Sequence, residues 1–220
     1  MIENNMGQKW VLLGTSPASR KIWGLRDIDF PCGYLMPPGA FATASTSLER
    51  PGQEEVWIMG GFAFEIGQGG KRIPAESAGK HIAGYRPWVC VYHPVLLDEL
   101  ARRGHTIETW DRGISIFHGL WRQSCQALGD LIAISEYYEL KAEASKIGFS
   151  GKQIEGDTPD NYRLKAPGII EFMSQFMTVS SGDLWIKGPL VAEQLPKDVD
   201  RIRFSVGRIS LEVMVSEWQA

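Results

Sequence analysis

Hydrophobic and polar positions alternate most clearly near the end of the chain. In DRIRFSVGRISLEVMVSEW, Ile202, Phe204 and Val206 alternate with polar residues, the chain turns at Gly207–Arg208, and Ile209, Leu211, Val213 and Val215 resume the pattern. Successive strand residues face opposite sides of a sheet, so this is a half-buried β-hairpin. KWVLLG (9–14) is a short buried strand followed by a polar loop with Pro17. EVWIMGGFAFEIG (55–67) is a further strand, its paired glycines marking a bend or a close backbone approach. It puts Phe62 and Phe64 on one face and Gly61, Ala63 and Glu65 on the other.

Helical signals are shorter. PAESAGKHIAGY (74–85) opens with Pro at its first turn, YHPVLLDELARRG (92–104) closes on an Arg pair and Gly104, and PGIIEFMSQFM (167–177) is amphipathic. From 131 to 149 the pattern moves to alternation, with Leu140, Ala142 and Ala144 against Glu139, Lys141 and Glu143, before a hairpin turn at SGKQ. DFPCGYLMPPGA (29–40) is too rich in Pro and Gly for a regular element, and 105–130 has no clean period. No repeat or linker interrupts 1–220. Strands and short helices without a βαβ rhythm predict one α+β domain built on a closed or folded-over sheet.

Composition narrows the function classes. With 220 residues, 44 % of them hydrophobic, the chain can bury one good core. A formal net charge of −3 leaves no electrostatic footprint for nucleic acid or an anionic membrane. No apolar run reaches the roughly 18 residues of a membrane span, and MIENNMGQKW lacks the form of a secretory signal. Cys32, Cys90 and Cys125 are odd in number and widely spaced, unlike a disulfide framework or zinc knuckle. The expectation is a reduced, cytoplasmic protein that binds neither nucleic acid nor membrane.

Glu65 is the first chemical candidate. A carboxylate in an otherwise apolar strand is solvated, paired or functional, because burying it alone is costly. His118 lies among Phe117, Gly119 and Trp121, where an aromatic-lined pocket would give it a role; His81 and His105 read as surface or satisfied histidines. Cys90 shares a face with Tyr92 in WVCVYH and reads equally as a small buried hydrophobe.

FAFEIGQGGKRIPAESAGKHIAGY (62–85) and IGFSGKQIEGDTPDNYRLKAPGIIEFMSQFMTVSSGDLWIKGP (147–189), followed by RFSVGRISLEVMV, together resemble the fumarylacetoacetate hydrolase family. Ile66-Gly67, Ala83-Gly84-Tyr85, Gly151, Thr158, Met177-Thr178, Gly182-Asp183 and Gly188 carry the likeness, which covers nearly the whole chain. It implies a mixed β-sandwich or β-roll around one cleft, usually in a homodimer. Family activities are hydrolysis, decarboxylation, isomerisation and hydration of small oxo acids, mostly with Mg²⁺ or Mn²⁺.

A hard divalent cation needs several oxygen ligands. Counted from the signature, the family's metal-binding Glu-x-Glu falls on Met59 and Gly61 and its Asp on Cys90. The active-site Lys and its neighbouring Asp fall on Leu120 and Gln123, the Thr of Gly-Thr-Pro on Pro189, and the Lys of the proline-rich loop on Met36. The resemblance therefore implies a scaffold without its metal grip and without a cofactor. On that reading Glu65, His118 and Cys90 are the catalytic candidates, and Trp88, Tyr92, His93, Met59, Leu120 and Lys187 the substrate-binding ones.

Three functions stay open at this point. One is a metal-independent isomerase, cyclase or lyase acting on a small-to-medium carbonyl compound of specialised metabolism, with Glu65 as proton-transfer group. Another is a non-catalytic ligand-binding or structural subunit. The third is a hydrolase, decarboxylase or hydratase with a rearranged site in which Glu65, Cys90 and His93 hold a softer ion such as zinc.

Overall fold

The structure, a computed structural model, describes residues 7–12, 14–24, 30–41, 47–50, 55–94, 102, 120 and 124–217. Two sheets dominate it. The larger contains β1 (Lys9–Leu12), β2 (Gly33–Met36), β4 (Val56–Ile66), β5 (Ile82–Tyr92), β6 (Gln126–Leu128) and β9 (Leu184–Leu195), in the order β2-β1-β9-β4-β5-β6. The smaller contains β3 (Ser47–Arg50), β7 (Ser145–Phe149), β8 (Lys152–Glu155), β10 (Arg201–Val206) and β11 (Ile209–Glu217), in the order β3-β11-β10-β7-β8. Between the sheets lies the main core, where Phe62 meets Phe204 edge-on at 6.0 Å and Phe64 stacks on Trp185 at 6.0 Å.

The terminal hairpin follows the alternating pattern: Ile202, Phe204 and Val206 pair with Val213, Leu211 and Ile209 and enter the core. The SGKQ turn joins β7 to β8, with Ser150 and Gly151 both in the left-handed region (φ 45° and 75°) that such tight turns require.

Other expectations are corrected. The polar loop with Pro17 contains a helix, α1 (Pro17–Trp23). Ser16 and Ser19 cap it reciprocally through 3.1 Å bonds, and Gly24 ends it in a left-handed conformation. The helix expected over 74–85 is only one turn, α2 (Ala75–Ala78) plus a 3-10 turn, because β5 starts at Ile82 and pairs along β4. Tertiary pairing on a central strand overrides local helical preference there. In 131–149 a helix, α3 (Ile134–Glu139), precedes the strand: Tyr137 and Leu140, three apart, reach the core from one helical face. The Pro/Gly-rich 29–40 segment includes β2, an edge strand tolerant of flanking prolines. The helix at 167–177 forms as α4 (Ala166–Ser174). The helix expected over 92–104 falls almost wholly outside the described residues.

Among the described residues, no helix is long and apolar enough to cross a membrane.

Candidate functional site

β4 is paired on both sides, by β9 and β5, and both its faces are buried. On the face away from the main core, a second apolar cluster gathers Val11, Trp23, Met36, Phe41, Met59, Ala63, Trp88, Cys90, Tyr92, Leu120, Cys125 and Ile186. Its centre is the cross-strand pair Met59–Cys90, with Gly61 opposite Trp88 one pleat away. The positions that the resemblance assigns to the metal are therefore neighbours on one sheet face. Met59, Trp88 and Cys90 are each 0 % exposed and Leu120 is 1 % exposed. Trp23 comes down from α1 and meets Tyr92 edge-on at 6.4 Å. Among the described residues, the side chains expected to line a cleft are buried in one apolar cluster.

Gly61 closes it further. The β4–β9 register slips on either side of Gly61, opposite a bulge at Gly188 (φ +82°). A Cβ built on Gly61 would land on the Gly188 carbonyl oxygen and 2.8 Å from the Tyr162 hydroxyl. That hydroxyl accepts from the Phe62 amide at 3.0 Å and donates to Gly188 O at 2.8 Å, bridging the slipped register. Any side chain at position 61 needs the backbone to move first.

The remaining candidates are placed as follows. Glu65 Oε2 is 2.7 Å from Arg86 Nε, the two side chains 24 % and 28 % exposed, and Arg86 also donates to Gly129 O. Glu65 is thus an ion-paired residue near the end of β4 rather than a carboxylate aimed into an apolar cleft. Burial pushes the Cys90 thiol well above its ordinary pKa, and Cys125 beside it adds to the effect, so Cys90 is held as an inert thiol. Trp88 donates its indole N–H to Gln126 Oε1 at 3.0 Å, and Gln126 donates in turn to Leu120 O. Tyr92 and His93 are buried. His118 lies outside the described residues.

Lys187 is 2 % exposed and sits elsewhere than on the cleft face. Its Nζ lies 3.9 Å from the ring centroid of Tyr162, a main-core residue. Burial drives its pKa well below the ordinary lysine value, and Lys165 and Lys141 lower it further. The carbonyls flanking the bulge hold α1 in place: Lys187 O accepts from the Thr15 hydroxyl and Pro189 O from the Ser16 hydroxyl. Asp183 of the Gly-Asp motif is a turn carboxylate that accepts from the Gln8 and Ser180 amides, both at 2.8 Å.

A further feature lies beside this cluster. Beyond Met59 toward the start of β4, a cavity of about 580 Å³ opens between α1 and β9. Trp57, Leu190, Val191 and Ala192 supply apolar wall, Pro17, Ala18, Lys21 and Ile22 the α1 side, and Glu155, Gly156, Asp157 and Glu193 the rim. The volume suits a small organic ligand. The capping pattern around Ser16–Ser19 was the signal for α1, and hence for this wall.

No family model matches the chain, and no curated protein matches it in sequence. Solved structures do match. A protein assigned to the fumarylacetoacetate hydrolase family from Yersinia pestis CO92 superposes with a TM-score of 0.78 at 13 % identity, over 98 % of this chain and 96 % of that one. Fumarylpyruvate hydrolase from Pseudomonas aeruginosa, solved in complex with Mn²⁺ and pyruvate, gives 0.74 at 18 %, over 96 % and 90 %. The 5-carboxymethyl-2-hydroxymuconate delta-isomerase from Mycobacterium smegmatis gives 0.67 at 16 %, over 98 % and 81 %. The chain has the fumarylacetoacetate hydrolase fold.

The divalent ion that this fold implies does not fit the residues present. Met59 and Cys90 offer no oxygen donors, Gly61 has no room for one, and no group of three His, Cys, Asp or Glu side chains among the described residues is placed to hold a metal.

Proposed function

We propose that the chain is a divergent fumarylacetoacetate hydrolase relative working without a divalent metal, and that it binds a small-to-medium, largely apolar carbonyl compound in the α1–β9 cavity. The observation that carries the proposal is the Met59–Gly61–Cys90 centre, buried and without an oxygen-bearing side chain. Metal analysis of the purified protein tests it. Mg, Mn and Zn should each be far below one per chain, and added Mn²⁺ should shift Tm by less than about 1 °C, since an ion without a site cannot stabilise the native state. One bound metal per chain overturns it.

A catalytic role, as a metal-independent isomerase, cyclase or lyase, is the second reading. The retained cavity and the hydrolase and isomerase among the matching structures favour it. The packed cleft and the Glu65–Arg86 pair weigh against it and favour a ligand-binding or structural subunit. In the catalytic reading substrate fit does the work, because neither Glu65 nor Cys90 is a free proton-transfer group. Mass-spectrometric capture of the native ligand, followed by incubation with fresh protein, separates the two: conversion supports the enzyme, release unchanged the binder. A cytoplasmic homodimer belongs to the same proposal, with the exposed Phe30 and Phe176 rings, one stacked on Phe172 and the other tilted against it, as apolar surface for the partner copy.

A further inference from the structure

The charges around the α1–β9 cavity are arranged by wall. On the rim, Glu193 is paired with Lys152 at 3.1 Å and Glu155 approaches Lys146 at 3.9 Å. Asp157 is different. Its side chain accepts only a neutral amide, Asn161 Nδ2 at 3.1 Å, while its backbone is fixed by bonds to Leu190 O and from Ser145 N. Asp157 is half-buried and held rigidly at the mouth of an apolar chamber. Lys21, on the α1 wall, makes no ion pair among the described residues. Trp57, on β4, lines the same cavity and is half-buried.

We infer that the cavity takes an amino-carbonyl compound: an ammonium group against Asp157, an apolar body on Trp57 and Leu190–Ala192, and a carbonyl oxygen toward Lys21. The inference rests on the cavity being the ligand site. A charge-assisted hydrogen bond to a carboxylate is among the stronger polar contacts, and Trp57 offers an aromatic face that also attracts a cation. Lys21 is suited to meet the other end because its ammonium has donors to spare and makes no ion pair among the described residues. The oxo-acid chemistry of the fold would instead need cations gathered at one pole. Here a carboxylate and an ammonium line one cavity from different elements, Asp157 just after β8 and Lys21 on α1.

Three probes of similar size separate the parts of the claim, each titrated by calorimetry at low salt against the intact chain. They are L-phenylalaninamide, 3-phenylpropionamide (which lacks only the amine) and phenylacetate. L-Phenylalaninamide should bind at least about tenfold more tightly than 3-phenylpropionamide, a difference of one charge-assisted contact. Asp157→Asn, with its Tm unchanged, should erase that difference and leave 3-phenylpropionamide binding as before. Ala192→Trp, which fills the chamber, should abolish binding of both. Equal binding of the two amides, or a preference for phenylacetate, overturns the amine assignment while leaving the cavity as the ligand site. Binding that survives Ala192→Trp, or no binding by any probe, overturns the cavity itself.

Discussion

Two neighbouring regions of the β4–β9 pair differ in how they are filled. At the Met59–Cys90 end, Trp23, Trp88 and Leu120 are buried in one apolar cluster. At the Trp57–Ala192 end, which runs from Ala192 opposite Met59 to Trp57 one pleat further along β4, a chamber of about 580 Å³ opens between β9 and α1. The contrast separates a buried apolar cluster from a neighbouring space left open. An unfilled apolar hole at the Met59–Cys90 pair would be costly, and large side chains from α1, β5 and Leu120 gather there instead.

The sharpest way to break this comparison is to put a carboxylate at each end. Gly61→Glu should fail to fold or lose more than about 4 kcal/mol, because it combines backbone collision with an unpaired buried charge. Ala192→Glu, on the cavity wall, should stay within about 1 kcal/mol of the parent. Denaturant unfolding compares the two. A stable Gly61→Glu protein that binds Mn²⁺ would mean that the closed end is not closed.

Truncating a tryptophan at each end gives the next largest effect. Trp23→Ala should cost about 3–5 kcal/mol, the loss for a fully buried ring. Trp57→Ala should cost less than half of that, since Trp57 is only half-buried beside open space. Equal losses would show that the chamber is as tightly packed as the core.

The sequence made one of these ends legible and hid the other. The alternation in IMGGFAFEIG placed Met59, Gly61, Ala63 and Glu65 on one face, and the family signature placed the missing ligands at positions that prove to be cross-strand neighbours. Parity alone cannot tell a cleft floor from a second core, because that depends on what covers the face. Among the described residues the cover includes α1, the 3-10 turn at Pro38–Ala40, Leu120 and Cys125, all distant in sequence from β4. Glu65 misled for a related reason: its partner Arg86 is 21 residues away, on β5, and only the strand register joins them. The Tyr162 hydroxyl beside the Gly188 bulge, a contact spanning 100 residues to Phe62, has no local trace at all.

A smaller effect concerns the other face of the sheet. Lys187 has a native pKa lowered by burial, so in the window between that value and about 10.5 the unfolded chain holds more protons than the native one. Stability from this residue therefore rises with pH through that window and falls as pH drops. Lys187→Met should stabilise the protein by about 1–2 kcal/mol at pH 7, with the gain shrinking as pH approaches 10.5. Thermal melts at pH 7 and pH 10 read the difference. A variant that is less stable at pH 7 would show that the ammonium over the Tyr162 ring stabilises the fold as a cation.

The smallest effect falls on the residue that looked most chemical. Glu65 and Arg86 are both about one quarter exposed, so water screens their attraction, and partly exposed pairs contribute little. Glu65→Gln keeps the shape and an acceptor for the guanidinium, and should cost about 0.5 kcal/mol or less. If the protein converts its captured native ligand, that conversion should also persist in Glu65→Gln with an unchanged pH profile, because Glu65 lies at the far end of β4 from the chamber. A tenfold or larger fall in conversion, with the Tm unmoved, would return Glu65 to the reacting atoms and place the chemistry at the Glu65 end of β4 instead of the chamber.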